Sequence, residues 1–354
     1  MVLSSILPVK KGILFMPKQF YLQSGLIISL ACHLFSPQAI SCTRVFWNNN
    51  EVAKVAARST DLFTQDSPLI KAYPRGTEHQ GEAGRNSLKW KSRYGNVVVT
   101  EFHTNAASDG INEKGLSVHL LYLADTKYPE TDPSKPQISN VLWSQYLLDN
   151  YATVNEALNG MKDLQIVATE VHNKIWPLHL TMEDASGDSA VVEYVNGKMQ
   201  VYHGPQYQIM TNEPAYDIQL ANLKRYRGFG GHLPLPGDPD PLSRFVRVAT
   251  FLKTLPKPST DLDVLAGVLS VMRTAMVPFG AVDTSGNKTE DAWATRWITL
   301  SDLTHKIYYF SSTTAPNILW IDLNKINFAE GEPVLSIDPS KIELEGDISK
   351  KLMP

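Results

Sequence analysis

The chain has 354 residues, with 33 Lys and Arg against 36 Asp and Glu, for a formal net charge of −3. So even a balance offers no basic field to a nucleic acid or an anionic membrane surface, and neither is expected as a partner. No low-complexity tract, internal repeat or long polar linker divides the sequence, so one large domain is expected after the first segment.

That first segment, residues 1–41, reads as a cleaved export signal. Lys10, Lys11 and Lys18 supply a basic start, and Leu26 to Phe35 form an apolar run too short to span a bilayer. Pro37 ends the run, and Ala39-Ile40-Ser41 places small residues three and one before a cut at Cys42. Met16 is an alternative start, and a retained anchor helix is the competing reading. Export implies a periplasmic or secreted protein with no stable membrane insertion once the signal is gone. Of the two cysteines, Cys32 lies in the signal, so the mature chain 42–354 holds one thiol and cannot form an internal disulfide. A lone thiol in an oxidising compartment needs a reason, and reactivity is the leading one.

Strand-like runs open the mature chain. Residues 43–47 and 52–58 flank Asn48-Asn49-Asn50, which can supply positive φ for a tight hairpin turn. Residues 96–103 and 116–123 follow as β-branched, apolar stretches, and Asp109 to Gly115 between them reads as a turn that shapes the fold. Helices come next: Val141, Leu142, Trp143, Tyr146 and Leu147 are spaced for one apolar face, and Thr153 to Glu156 reads as a capping box. Strands return over 178–182, 190–195 and 199–203, the last two joined by Asn196-Gly197. Helical periodicity resumes over 245–252 and 262–272, and three strands close the chain at 294–300, 306–311 and 318–323. Hairpin-length connections in this order predict layered antiparallel sheets with helices outside, an α+β fold and not a doubly wound parallel one.

Nine histidines are scattered without ligand spacing, and no HExxH, CxxC, G-x-S-x-G or Walker sequence occurs, so neither metal nor cofactor is expected. The chemistry therefore centres on Cys42. Freed at its amino side, it carries a thiol nucleophile and an α-amine that titrates near neutrality and can take the thiol proton. A cation beside the sulfur would favour thiolate, and an aspartate could hold the amine. Arg58 and Asp61 supply both types at the end of the second hairpin strand, which folds back beside Cys42. An ordinary surface ion pair is the bland alternative for these two. A cysteine–histidine dyad stays open, although no histidine stands out as its base.

"CTRVFWN", "ARSTD", "DGINEKGLSVHLLYL", "MTNEP" and "SRFVRVA", in that order from Cys42 onward, resemble the choloylglycine hydrolase and penicillin V acylase family of N-terminal nucleophile hydrolases. "ATRW" and "PNILWIDLNKINF", with no long insertion between residues 212 and 244, look most like its Gram-negative penicillin V acylase branch.

The resemblance implies a four-layer α-β-β-α sandwich and hydrolysis of a linear amide. It implies Cys42 as nucleophile, Arg58 beside the thiol, and Asp61 bonded to the α-amine. It also implies Asn212 as an oxyanion donor, Tyr122 offering a backbone N–H to the same oxyanion, and Arg244 as a second arginine of the site. Two positions depart from family patterns. Tyr122 stands where bile salt hydrolases commonly have Asn, and Leu62 replaces a pocket tryptophan of the Gram-negative branch. Both favour a small-molecule amide with an apolar acyl group, such as penicillin V or an N-acyl homoserine lactone, bound against Leu62 and Tyr122. A conjugated bile salt hydrolase and an inactive binding protein of the same fold are the alternatives, and self-association of the chain is left open.

Overall fold

The structure, a computed structural model, describes residues 42–62, 64–132, 134–281 and 293–354, all within one compact unit. The proposed export signal lies outside the described residues. Two antiparallel sheets face each other, and fifteen strands build them. These are β1 (Thr43–Trp47), β2 (Val55–Leu62), β3 (Leu69–Tyr73), β4 (Asn96–Thr100), β5 (Ala107–Asn112), β6 (Ser117–Tyr122), β7 (Leu178–Glu183), β8 (Ser189–Val195) and β9 (Lys198–His203). Then come β10 (Ile209–Thr211), β11 (Ala294–Asp302), β12 (Ile307–Ser312), β13 (Leu319–Asp322), β14 (Leu335–Ile337) and β15 (Gly346–Asp347). The first sheet runs β10-β1-β2-β11-β12-β13-β15 and the second β9-β8-β7-β6-β5-β4-β3-β14. All of these pairings are antiparallel except that of the short edge strand β15.

Strand alternation sorts the side chains into three apolar spaces. Val45 and Trp47 of β1 pack outward against Val248, Leu252, Val264 and Val268 of α4 (Pro241–Thr254) and α5 (Asp261–Arg273). Phe46, between them, points inward to meet Ile70, Val97, Val99 and Ile111 of the second sheet. On the far side of that sheet, Val118 and Leu120 pack against Leu147 and Leu148 of α1 (Trp143–Asn150) and against Val154 and Ala157 of α2 (Val154–Gly160). Three cores between four layers make an α-β-β-α sandwich. Each large apolar side chain buried this way contributes about 1.5–3 kcal/mol.

The inter-sheet space also holds charge. Asp109 on β5 accepts from His119 Nδ1 at 2.5 Å, Tyr308 OH at 2.5 Å and Thr299 Oγ1 at 3.1 Å. His119 reaches Glu183 through Nε2 at 2.6 Å, and Glu183 pairs with Arg44 of β1. With a carboxylate on each ring nitrogen, His119 is held as a cation; burial opposes this, yet the two carboxylates push its pKa up to about 9. Asp109 is thus a sheet-to-sheet tie on a strand, and the expected turn is confined to residues after Asn112. There Gly115, at φ +85°, closes the β5–β6 hairpin, and a Cβ on it would stand 2.7 Å from Leu303 O.

The first hairpin also differs from expectation. β2 starts at Val55, not near residue 52, and Asn48 to Asn50 adopt no positive φ. The connection is long enough to close without one. Asn50 Oδ1 accepts from the Val52 and Ala53 amides and organises the bend instead. The Asn196-Gly197 turn matches its reading, with φ of 51° and 75°. β3, the short strands before β4, and α3 (Tyr216–Leu223) had no clear apolar period and were not expected.

Candidate active site

β1 lies between β10 and β2, with Thr43 opposite Thr211 on one side and Ser59 on the other. One residue earlier, Cys42 therefore stands between Asn212 and Thr60. Cys42 is 4% exposed. Arg58 Nη2 lies 3.8 Å from its Sγ and donates to Leu120 O at 3.0 Å, while the guanidinium covers the Trp297 indole at 4.9 Å. Burial pushes the thiol up to about 11, with Arg58 acting the other way.

Asp61, three residues further along β2, is fully buried. Ser59 Oγ donates to its Oδ2 at 3.5 Å, and Arg244 Nη1 approaches the same oxygen at 3.8 Å. Oδ1 has no hydrogen-bond partner among the described residues. Burial raises this carboxyl to about 7 against the pull of Arg244. Arg244, on α4, donates from Nη1 to Cys42 O at 2.9 Å and to Thr43 Oγ1, and from Nε to Pro239 O at 2.9 Å. It fixes the backbone of Cys42 and does not touch the sulfur.

Asn212 Nδ2 donates to Tyr122 O at 2.7 Å, which uses one of its two amide hydrogens. In the β6–β7 ladder, Leu123 N donates to Pro177 O. The preceding residue, Tyr122, must then turn its own N–H and C=O away from β7, to the side where Asn212 and Arg58 already bond carbonyls of β6. The Tyr122 N–H therefore lies on the side of β6 where Asn212 bonds the Tyr122 carbonyl, and Asn212 keeps a second amide hydrogen.

These contacts bring together all six residues expected to act together; Cys42, Arg58, Asp61 and Tyr122 line a cleft whose wall Leu62 joins, while Asn212 and Arg244 stand behind it. Leu62 packs with Trp293, Phe102, Tyr122 and Trp176. No histidine lines the cleft among the described residues; buried His119 and His179 are held by carboxylates elsewhere. The sequence reading missed Glu101, which enters the cleft from the end of β4 with Oε1 3.7 Å from Arg58 Nη1. Burial lifts its carboxyl to about 7 although Arg58 opposes the shift. It also missed Phe102, Trp176 and Trp293, aromatic residues on irregular segments where no period marks an inward face.

A profile of the linear amide C–N hydrolases, choloylglycine hydrolase family, matches residues 42–336. The chain is 36% identical to penicillin V acylase of Pectobacterium atrosepticum over 85% of each chain. It is 28% identical to a bile salt hydrolase/transferase of Clostridium perfringens, over 82% of this chain and 95% of the relative. The solved structure of penicillin V acylase from Agrobacterium tumefaciens superposes with a TM-score of 0.79 at 36% identity, covering 88% of this chain and 97% of the other.

Proposed function

The chain belongs to the choloylglycine hydrolase family of linear amide C–N hydrolases, and on that premise we propose that it is an acylase whose nucleophile is an N-terminal Cys42. The observation that carries this reading is Asp61 Oδ1, a buried carboxylate oxygen near Cys42 with no hydrogen-bond partner among the described residues. An α-ammonium released at Cys42 is the group that would satisfy it. The family match begins at residue 42, which supports the same boundary. Processing follows export to the periplasm or beyond, by signal peptidase or by self-cleavage.

The α-amine takes the Cys42 proton as Sγ attacks the amide carbonyl. The spare Asn212 N–H and the Tyr122 N–H receive the oxyanion; one such donor is worth about 2.7–4 kcal/mol of barrier in other hydrolases. Collapse breaks the C–N bond, and the α-ammonium returns its proton to the leaving amine. Water then loses a proton to the amine and attacks the thioester, releasing the acid and restoring the thiol. Arg58 stabilises charge on sulfur, Asp61 holds the amine, and Arg244 fixes the Cys42 carbonyl. No step calls for a metal or cofactor.

Leu62, Tyr122, Phe102, Trp176 and Trp293 favour an apolar acyl group, as in penicillin V or an N-acyl homoserine lactone. The test is kcat/KM on one preparation for penicillin V, N-dodecanoyl homoserine lactone and glycocholate. Either of the first two should exceed glycocholate. A tenfold or greater preference for glycocholate would replace the acyl assignment with a bile salt hydrolase.

A further inference from the structure

One corner of the cleft is polar, and the proposed chemistry leaves it unused. Thr60 Oγ1 is buried with no hydrogen-bond partner among the described residues, and Glu101 Oε1 and Ser108 Oγ, also buried, have none there beyond a loose approach to one another. All three residues line the cleft, and Thr60 is 1% exposed. The remaining wall is mainly apolar, and the charged group closest to these atoms is Arg58, whose Nη1 stands 3.7 Å from Glu101 Oε1.

Ser108 owes its position to a bulge. Val99 of β4 pairs with Asp109 and Thr100 with Ala107, which leaves Ser108 as an extra residue of β5. A bulge re-aims a side chain, and this one brings Ser108 towards the Glu101 carboxyl. Glu101 in turn faces Arg58 Nη1, while Nη2 of the same guanidinium stands 3.8 Å from the Cys42 sulfur. One guanidinium therefore separates the corner from the nucleophile, and the first few carbons of an acyl chain attached at the sulfur must pass it.

We infer that Thr60, Glu101 and Ser108 form a subsite for a hydroxyl group carried by the acyl chain a few bonds from the scissile carbonyl. The inference rests on the acylase reading above and adds to it a preference, among N-acyl homoserine lactones, for acyl chains that carry a hydroxyl. The substrate hydroxyl donates to the Glu101 carboxylate and accepts from Thr60 or Ser108, a pairing that an unsubstituted chain cannot supply. A site built to bond a hydroxyl rejects the analogue lacking it, because its own buried groups then stay unpaired.

The first arm of the test needs no turnover. Mature protein with a free Cys42 is alkylated with iodoacetamide in the presence of dodecanoic acid or 3-hydroxydodecanoic acid. The hydroxy acid should protect Cys42 at about tenfold lower concentration or less. The second arm compares kcat/KM for the two matching N-acyl homoserine lactones, with the same preference expected. Ser108→Ala should reduce the preference, Glu101→Leu should bring it near unity, and Glu101→Gln, which keeps an acceptor, should retain part of it. A purely structural role would lower both substrates equally and leave the ratio alone. Equal protection by the two acids, no protection by either, or a ratio unchanged in Ser108→Ala and Glu101→Leu overturns the subsite; a corner that merely holds water gives the first result. Discriminating protection without cleavage of either lactone would uphold the subsite and count against the proposed lactone substrate.

Discussion

At the scale of single residues, the site separates groups that do chemistry from groups that hold them. Cys42→Ser keeps the volume and loses the readily formed anion, so amidase activity should fall by more than about tenfold while the thermal midpoint barely moves. A serine variant retaining a tenth of the wild-type rate would remove Cys42 as nucleophile. Asn212→Ala removes the proposed oxyanion donor and should lower kcat by about 10²–10³ with little change in KM. A loss confined to KM would mean that Asn212 binds substrate and no more. Leu62→Trp fills the cleft against Trp293 and should shift preference towards smaller acyl groups, leaving Cys42 labelling by iodoacetamide unchanged. Identical acyl profiles in the two proteins would place Leu62 outside the acyl pocket. Much of this was legible before any coordinates, because Cys42, Arg58 and Asp61 lie close in sequence and share one hairpin. Glu101 was not. Its role depends on the side of β4 it leaves and on a bulge in the neighbouring strand, neither of which has a local signature.

At the scale of elements, position is set by ladders and by the turns that close them. The β1–β2 register carries Arg58 and Asp61 to Cys42, and the β10 pairing brings Asn212. Strands with alternating or β-branched runs were readable from period alone, as were α1, α4 and α5 from their apolar faces. Two readings failed for physical reasons. Asparagines at 48–50 can supply positive φ for a tight turn, but the connection is longer and bonds through the Asn50 side chain. Residues Asp109 to Gly115 read as a turn; the inter-sheet network instead rewards burying Asp109 on a strand. The true turn depends on Gly115, where φ is +85° and Leu303 O leaves no room for a Cβ. Gly115→Ala should therefore cost about 1–3 kcal/mol, read as a lower denaturant midpoint, with specific activity per folded molecule retained. An unchanged midpoint would show that the hairpin tolerates a side chain there.

At the scale of the whole molecule, the two sheets are joined by the Arg44, Glu183, His119 and Asp109 network as well as by apolar packing. His119 has a folded pKa raised to about 9, so its contribution to stability is complete below the ordinary histidine value near 6.5 and is lost as pH rises through 9. Asp109 and Glu183 are lowered by their partners, so their contribution is present above the ordinary carboxylate range and fades as pH falls. Asp61 and Glu101, both raised to about 7, add a decline that is mostly over before the His119 window ends. Denaturant midpoints should therefore drop between about pH 7 and 9.5. His119→Gln should flatten that drop while costing about 3–5 kcal/mol at pH 6. A variant with the wild-type slope would assign the decline to other groups. Processing is the other event that belongs to the whole chain, since the proposed removal of residues 1–41 would create the base on which the proposed mechanism depends. The most direct measurement pairs intact mass with turnover for two purified forms, one beginning at Cys42 and one carrying a single extra methionine before it. The account predicts full activity in the first and none in the second for as long as its mass stays intact. Equal activity of an intact Met-Cys42 form would contradict it, because a peptide nitrogen cannot accept the thiol proton.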